Sequence, residues 1–294
     1  MSRIFNKSAK MMLIFIALIV CFYLNIYQIV QCEEITDNFI YISSTGVGNF
    51  STIQEGIDHA NEGDTVYVQS GIYYENIVID TPISLVGENN LSTIIDGRDV
   101  GNVIKINVDG VLIKGFTIQH SGLTYPLSGI NLSANFIDIT GNIIMKNFYG
   151  LTLNFSFNDE ISGNIIQNND HCGIYMSKSS QNTITNNTIQ NHTYNGIGMY
   201  DSSDGNIIQR NFLSNNQYCG INIWKSSSNT ITDNDIIDNN IGIRMFSSEN
   251  TIKGNKLLNN NQDFDTGTIT PGFPLLLVVF SVAILLYFQH KNNL

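Results

Sequence analysis

Charge is scarce in this chain of 294 residues: only 13% are Asp, Glu, Lys or Arg, and 14 basic side chains stand against 25 acidic ones, a net charge of −11. A chain so poor in cations excludes nucleic acid as its partner, because lysine and arginine supply most of that affinity by displacing counterions. Three of the bases, Arg3, Lys7 and Lys10, lie in the first ten residues, and no acidic residue precedes Glu33, so the remainder is more acidic still. Tryptophan occurs once, at Trp224. Long apolar runs are confined to the two ends.

At the N-terminus the three bases precede "MMLIFIALIVCFYL", a basic flank followed by a hydrophobic stretch. That order marks residues 1–32 as a signal peptide, with an uncleaved anchor as the alternative, and assigns the rest to the outside of the membrane. "IVQC" lacks the small residue that a lipoprotein cleavage box places before the cysteine. At the C-terminus, Phe273 to Phe288 carries one polar residue, Ser281. At about 1.5 Å per residue this covers roughly 24 Å, slightly short of a bilayer core. Residues 266–294 are therefore expected to be a membrane anchor or a sorting signal.

Between these ends the chain keeps a beat. Glycine followed by an aliphatic residue recurs at Gly129, Gly150, Gly173, Gly196, Gly220 and Gly242, 21 to 24 residues apart. Asparagine recurs at Asn142, Asn164, Asn187, Asn211, Asn234 and Asn255, with isoleucine three places before each: Ile139, Ile161, Ile184, Ile208, Ile231 and Ile252. A second column holds Asp159, Asn182, Asn206, Asn229 and Asn250. A repeat of this length, with short alternating strands and no helical period, reads as one coil of a parallel β-helix. Coils stacked at roughly 4.8 Å turn each column into a pile, isoleucines inside and asparagines at the bends. A leucine-rich-repeat horseshoe has a similar period but needs an L-x-x-L-x-L frame, which is missing. The predicted fold is all-β, a right-handed parallel β-helix of about ten coils over residues 33–265. "STIQEGIDHANEGD" adds a short capping helix, with Ser51 or Thr52 as N-cap, Ile53, Ile57 and Ala60 on one face, and Gly63 as a stop.

The stretch "FSTIQEGIDHANEGDTVYVQSGIYYENIVIDTPISLVGENNLSTIIDG", followed by Asn-rich coils, resembles NosD-type right-handed β-helix proteins of the pectin-lyase-like group. That resemblance implies the fold and a choice of functions: copper-centre maturation, or lyase, hydrolase or epimerase action on polysaccharide. The strings that the group's enzymes carry, Asn-Thr-Asp with Gly-His-Gly or Asp-Pro-His, are missing, and the coils hold only Arg98, Arg210 and Arg244. Pro271, Gly272 and Phe273 resemble the PGF-type sorting signal of archaeal surface proteins, which implies display on the cell surface with lipid attachment.

Among residues that can bind a ligand, the outward column four places after the coil glycines is the most suggestive. It runs Tyr200, Trp224, Phe246, flanked two places back by Tyr175, Asn222 and Arg244. Aromatic rings beside amides and a guanidinium suit sugar rings and their hydroxyls. The leading expectation is a non-catalytic module binding polysaccharide or a surface glycoprotein; cross-strand packing is the bland alternative. No catalytic set and no cofactor is expected. Two thinner arrangements suit metals: Asp138 with Glu160 on adjacent coils for calcium, and His171 with Cys172 for copper. Met176, Met199 and Met245 fall in an inward column and read as core. Cys172 and Cys219 lie two coils apart, roughly 9.6 Å, too far for a disulfide.

Overall fold

The computed structural model describes residues 38–46 and 48–266. The expected signal segment, and all but the first residue of the expected C-terminal anchor, lie outside these. The described chain is a right-handed parallel β-solenoid of about ten coils. Three sheets run along it, of ten, nine and nine strands, every strand pairing in parallel with its equivalents one coil away. The first sheet runs from Phe39–Ile42 to Thr251–Lys253, the second from Gly71–Tyr73 to Lys256–Leu258, and the third from Ile77–Ile79 to Gln262–Asp265.

The aliphatic piles follow from register. In the first sheet Ile139, Ile161, Ile184, Ile208 and Ile231 are direct partners from coil to coil, all fully buried. The second sheet stacks Ile118, Ile144, Ile166, Ile189, Leu213 and Ile236. In the third, Leu132, Leu153, Met176, Met199, Ile223 and Met245 form one of two inward columns, so the methionines are core. A side-chain period of two makes every second residue of these short strands inward, and stacking without slip keeps the column unbroken.

Each ladder asparagine spans two coils. The N–H of Asn164 donates to Asn187 Oδ1 at 2.9 Å, and that of Asn187 to Asn211 Oδ1 at 3.0 Å. Their Nδ2 groups donate to main-chain carbonyls, Asn187 to Ile161 O at 2.8 Å. Buried turns thereby satisfy backbone groups that no strand can reach. Asparagine tolerates the left-handed conformation at sharp bends, yet the ladder asparagines do not themselves adopt it. The residue before each does, as at Asn186 (φ 56), Arg210 (φ 54) and Asp233 (φ 56). That residue makes the bend, and the asparagine behind it points inward to tie the turn.

A helix, Ile53–Asp58, lies against the first coils, burying Ile53, Gly56 and Ile57. Thr52 is the N-cap, its side chain accepting from Glu55 N–H at 3.4 Å. The Glu75 carboxylate takes the N–H groups of Ile53 and Gln54, both at 2.9 Å, and so neutralises the positive helix end.

Candidate functional site

The outer face of the third sheet carries the expected columns in the expected register. Ser177, Tyr200, Trp224 and Phe246 are successive partners, as are Tyr175, Gly198, Asn222 and Arg244. The rings, however, do not form one strip. Gly198 leaves a gap, and the Tyr200 ring lies over it: a Cβ there would come within 2.6 Å of Tyr200 Cε2. Tyr200 stacks on Tyr175 with centroids 5.0 Å apart, and its phenol oxygen accepts from Asn195 Nδ2 at 2.9 Å and Asn222 Nδ2 at 3.0 Å. Trp224 packs edge-on against Phe246 at 5.1 Å and keeps 40% of its surface exposed.

A second aromatic row stands at the neighbouring corner, two places before the coil glycines. Phe148, His171, Tyr194 and Tyr218 follow one another with centroid separations of 5.5, 4.6 and 4.9 Å. Arg244 closes the row. Its guanidinium lies 5.2 Å from the Tyr218 ring and 4.4 Å from Phe246, hydrogen-bonds the Tyr218 hydroxyl, and pairs with Asp265 at 3.0 Å. Ring faces in this row cover one another, so the row presents edges and hydroxyls outward. Tyr149 joins the two rows, 4.8 Å from His171 and 5.1 Å from Tyr175, and Tyr125 meets it edge-on at 6.2 Å. Burial raises the pKa of Tyr149, Tyr175 and Tyr200, Tyr175 to about 12, so these phenols stay protonated. The strings "FYG", "HCG", "YNG" and "YCG" carried this row in the sequence; aligning two residues further upstream of the glycines would have found it.

Beneath the rings lies a polar and sulfur layer. Cys172 and Cys219 are free and buried, with Asn195 between them. Burial pushes both thiols up to about 12 and lowers the His171 pKa. His171 Nδ1 is 3.2 Å from Cys172 Sγ. Asn195 Oδ1 and Asn222 Oδ1 are buried without a hydrogen-bond partner. Asp138 and Glu160 are direct partners on the first sheet and therefore not part of this face. Burial, then Glu160, raises the Asp138 pKa against the pull of Lys114. Among the described residues no group of three or more His, Cys, Asp or Glu is arranged to hold a metal ion.

The model of the family described as "Periplasmic copper-binding protein (NosD)" matches residues 57–270. No curated protein matches the chain. Among solved structures it is similar to the catalytic domain of a GH87 alpha-1,3-glucanase in complex with tetrasaccharides, at 17% identity and a TM-score of 0.66, covering 77% of this chain and 46% of that one. The A-module of a mannuronan C-5 epimerase from Azotobacter vinelandii is similar at 14% identity and a TM-score of 0.54, over 73% of this chain and 74% of that one. The enzymatically active domain of a tailspike protein from bacteriophage CBA120 follows at 18% identity and 0.51, over 66% and 34%. The chain spans less than half the length of the glucanase domain. At these identities the likeness is one of fold.

Proposed function

The chain belongs to the NosD family, and from that premise we propose that it is an exported β-helix whose third-sheet face binds polysaccharide or the glycan of a surface glycoprotein. The observation that carries this reading is the exposed Trp224 ring, set against Phe246, with the Arg244 guanidinium over that Phe246 on the outer face of the third sheet. Trp224 offers a ring to stack on, the tyrosine edges offer hydroxyls, and Arg244 holds the end of the row. The similar structures include a glucanase bound to tetrasaccharides, which supports a carbohydrate partner for a fold of this shape. Export is consistent with the family's description as periplasmic. Attachment through residues 266–294 completes the proposal; fractionation of cells expressing the chain with and without that segment tests it.

Copper, which the family description implies, does not fit the residues present. His171 and Cys172 are the one soft pair on this face, the thiol is fully buried, and among the described residues no third His, Cys, Asp or Glu is arranged to complete a site with them. Cys219 is separated from Cys172 by Asn195. Calcium at Asp138 and Glu160 likewise lacks a third protein ligand of His, Cys, Asp or Glu type among the described residues.

A glycan array probed with the purified protein tests the reading. Binding to at least one polysaccharide class is expected, and its loss in Trp224→Ala. Wild-type protein that binds nothing on the array would remove the proposal.

A further inference from the structure

The second corner of the early coils departs from the repeat. Along the last outward column of the second sheet stand Gln119, Met145, Gln167 and Gln190. One coil earlier the column holds Asp96, in register with Gln119. Asp96 is buried, and its carboxylate accepts three hydrogen bonds. Arg98 N–H reaches Oδ1 at 2.9 Å, while Gln119 Nε2 and His120 Nδ1 reach Oδ2 at 2.9 and 2.8 Å. Burial alone would raise the Asp96 pKa, but these donors outweigh it and hold the carboxyl below its usual value. A carboxylate on Nδ1 fixes the proton there and turns the Nε2 lone pair outward. The His120 side chain is 33% exposed, and Nε2 has no hydrogen-bond partner among the described residues.

The chain also lengthens beside this pair. From Gln119 to Ile130 it takes eleven residues, where the equivalent path from Gln167 to Ile174 takes seven. The extra residues form a loop tied back by Gly122 N–H to Gly101 O at 2.8 Å, and it carries Tyr125, 68% exposed. Arg98 lies 4.1 Å over the Tyr74 ring and has no ion pair among the described residues. Irregularity in a repeat protein, with a longer loop following an oriented base in the chain, marks a place where function overrides the repeat.

We propose that Asp96 and His120 are the acid–base pair of an ester-hydrolysing site, acting on acyl or methyl esters carried by a glycan. His120 Nε2 takes a proton from water as the water oxygen bonds to the ester carbonyl carbon. The tetrahedral adduct then breaks its bond to the alkoxy oxygen, and the alcohol leaves with the proton that Nε2 returns. Water is the only co-reactant, and Asp96 stays ionised while it steadies the imidazolium. Glycoside cleavage needs two carboxyl groups on either side of the bond, and Asp96 is already engaged by three donors. That the ester belongs to a glycan rests on the reading of the aromatic face; the chemistry of the pair does not.

The test uses the full chain, with p-nitrophenyl acetate and acetylated xylan as substrates. Wild-type protein is expected to hydrolyse both, and His120→Gln to lower both rates by about a hundredfold. Asp96→Asn is expected to lower them too, because the carboxylate that holds Nδ1 is gone, and Asp96→Glu to restore part of the rate. Trp224→Ala should slow xylan deacetylation. Hydrolysis by wild type no faster than by His120→Gln and Asp96→Asn, each shown folded by circular dichroism, overturns the proposal. Cleavage of the small ester but not the xylan overturns its glycan part and leaves the pair's chemistry standing.

Discussion

His192 accepts the backbone N–H of Asn169 on its Nδ1 at 3.2 Å, taking the place of an asparagine in a ladder that runs Asn147, Asn169, His192, Asn216, Asn239, Asn260. Its Nε2 lies 3.1 Å from Ile166 O and carries the proton. The ring is fully buried, and burial lowers its pKa to about 4. A folded pKa below the unfolded one means that the unfolded chain takes the proton first. The ladder's stability is therefore complete above pH 6.5 and is lost as pH falls towards 4, by about 3 kcal/mol in all. His192→Asn should remove that loss, as read from urea midpoints at pH 7 and pH 4.

Asp159 has the opposite sign. Ser156 Oγ lies within hydrogen-bonding reach of both the Ala134 carbonyl and Asp159 Oδ2, yet has one proton to give. A neutral carboxyl at Asp159 supplies the second, and burial raises its pKa to about 6. Its stabilising effect is full below pH 3.8 and lost as pH rises through 6. Asp159→Asn is expected to stabilise the protein at pH 7 by about 1–3 kcal/mol. The two titrations offset each other, so wild type should show a flatter pH dependence between 4 and 6.5 than either single variant.

Asn187→Ala removes a side chain that accepts from Asn164 N–H at 2.9 Å and donates to Ile161 O and Asn211 Oδ1. Several buried groups lose their partners at once. A loss of about 2–4 kcal/mol in chemical unfolding is expected, against less than about 0.5 kcal/mol for Asn186→Gly at the exposed bend beside it.

Gly198→Ala places a methyl group where the Tyr200 ring lies. The ring must leave, and with it the bonds to Asn195 and Asn222. A change in the near-ultraviolet tyrosine signal and a loss of about 1–3 kcal/mol are expected. An unchanged spectrum would mean that the ring is not seated over the glycine.

What recurred in the sequence was legible. Ile161, Ile184 and Ile208 fall at a fixed distance from ladder asparagines, and an inward column tolerates little besides an aliphatic side chain. The departures were not. His192 hid a third ladder because it supplies the same acceptor with a different residue. Tyr200 shares a register column with Trp224 but turns away from it, since the gap at Gly198 and the amides of Asn195 and Asn222 offer it a better seat. Asp96 and His120 occur once, and their contact depends on which coils stack, so no period could reveal it.

The binding face is tested most directly by measuring polysaccharide affinity, by titration calorimetry on the best ligand from the array, for wild type, Trp224→Ala and Phe155→Ala. Phe155 is 63% exposed and stands outside the two aromatic rows, so it serves as the control. Weakening by about tenfold or more for Trp224→Ala, with Phe155→Ala binding as wild type does, is the predicted result. Equal affinity across all three proteins would contradict the assignment of the third-sheet face.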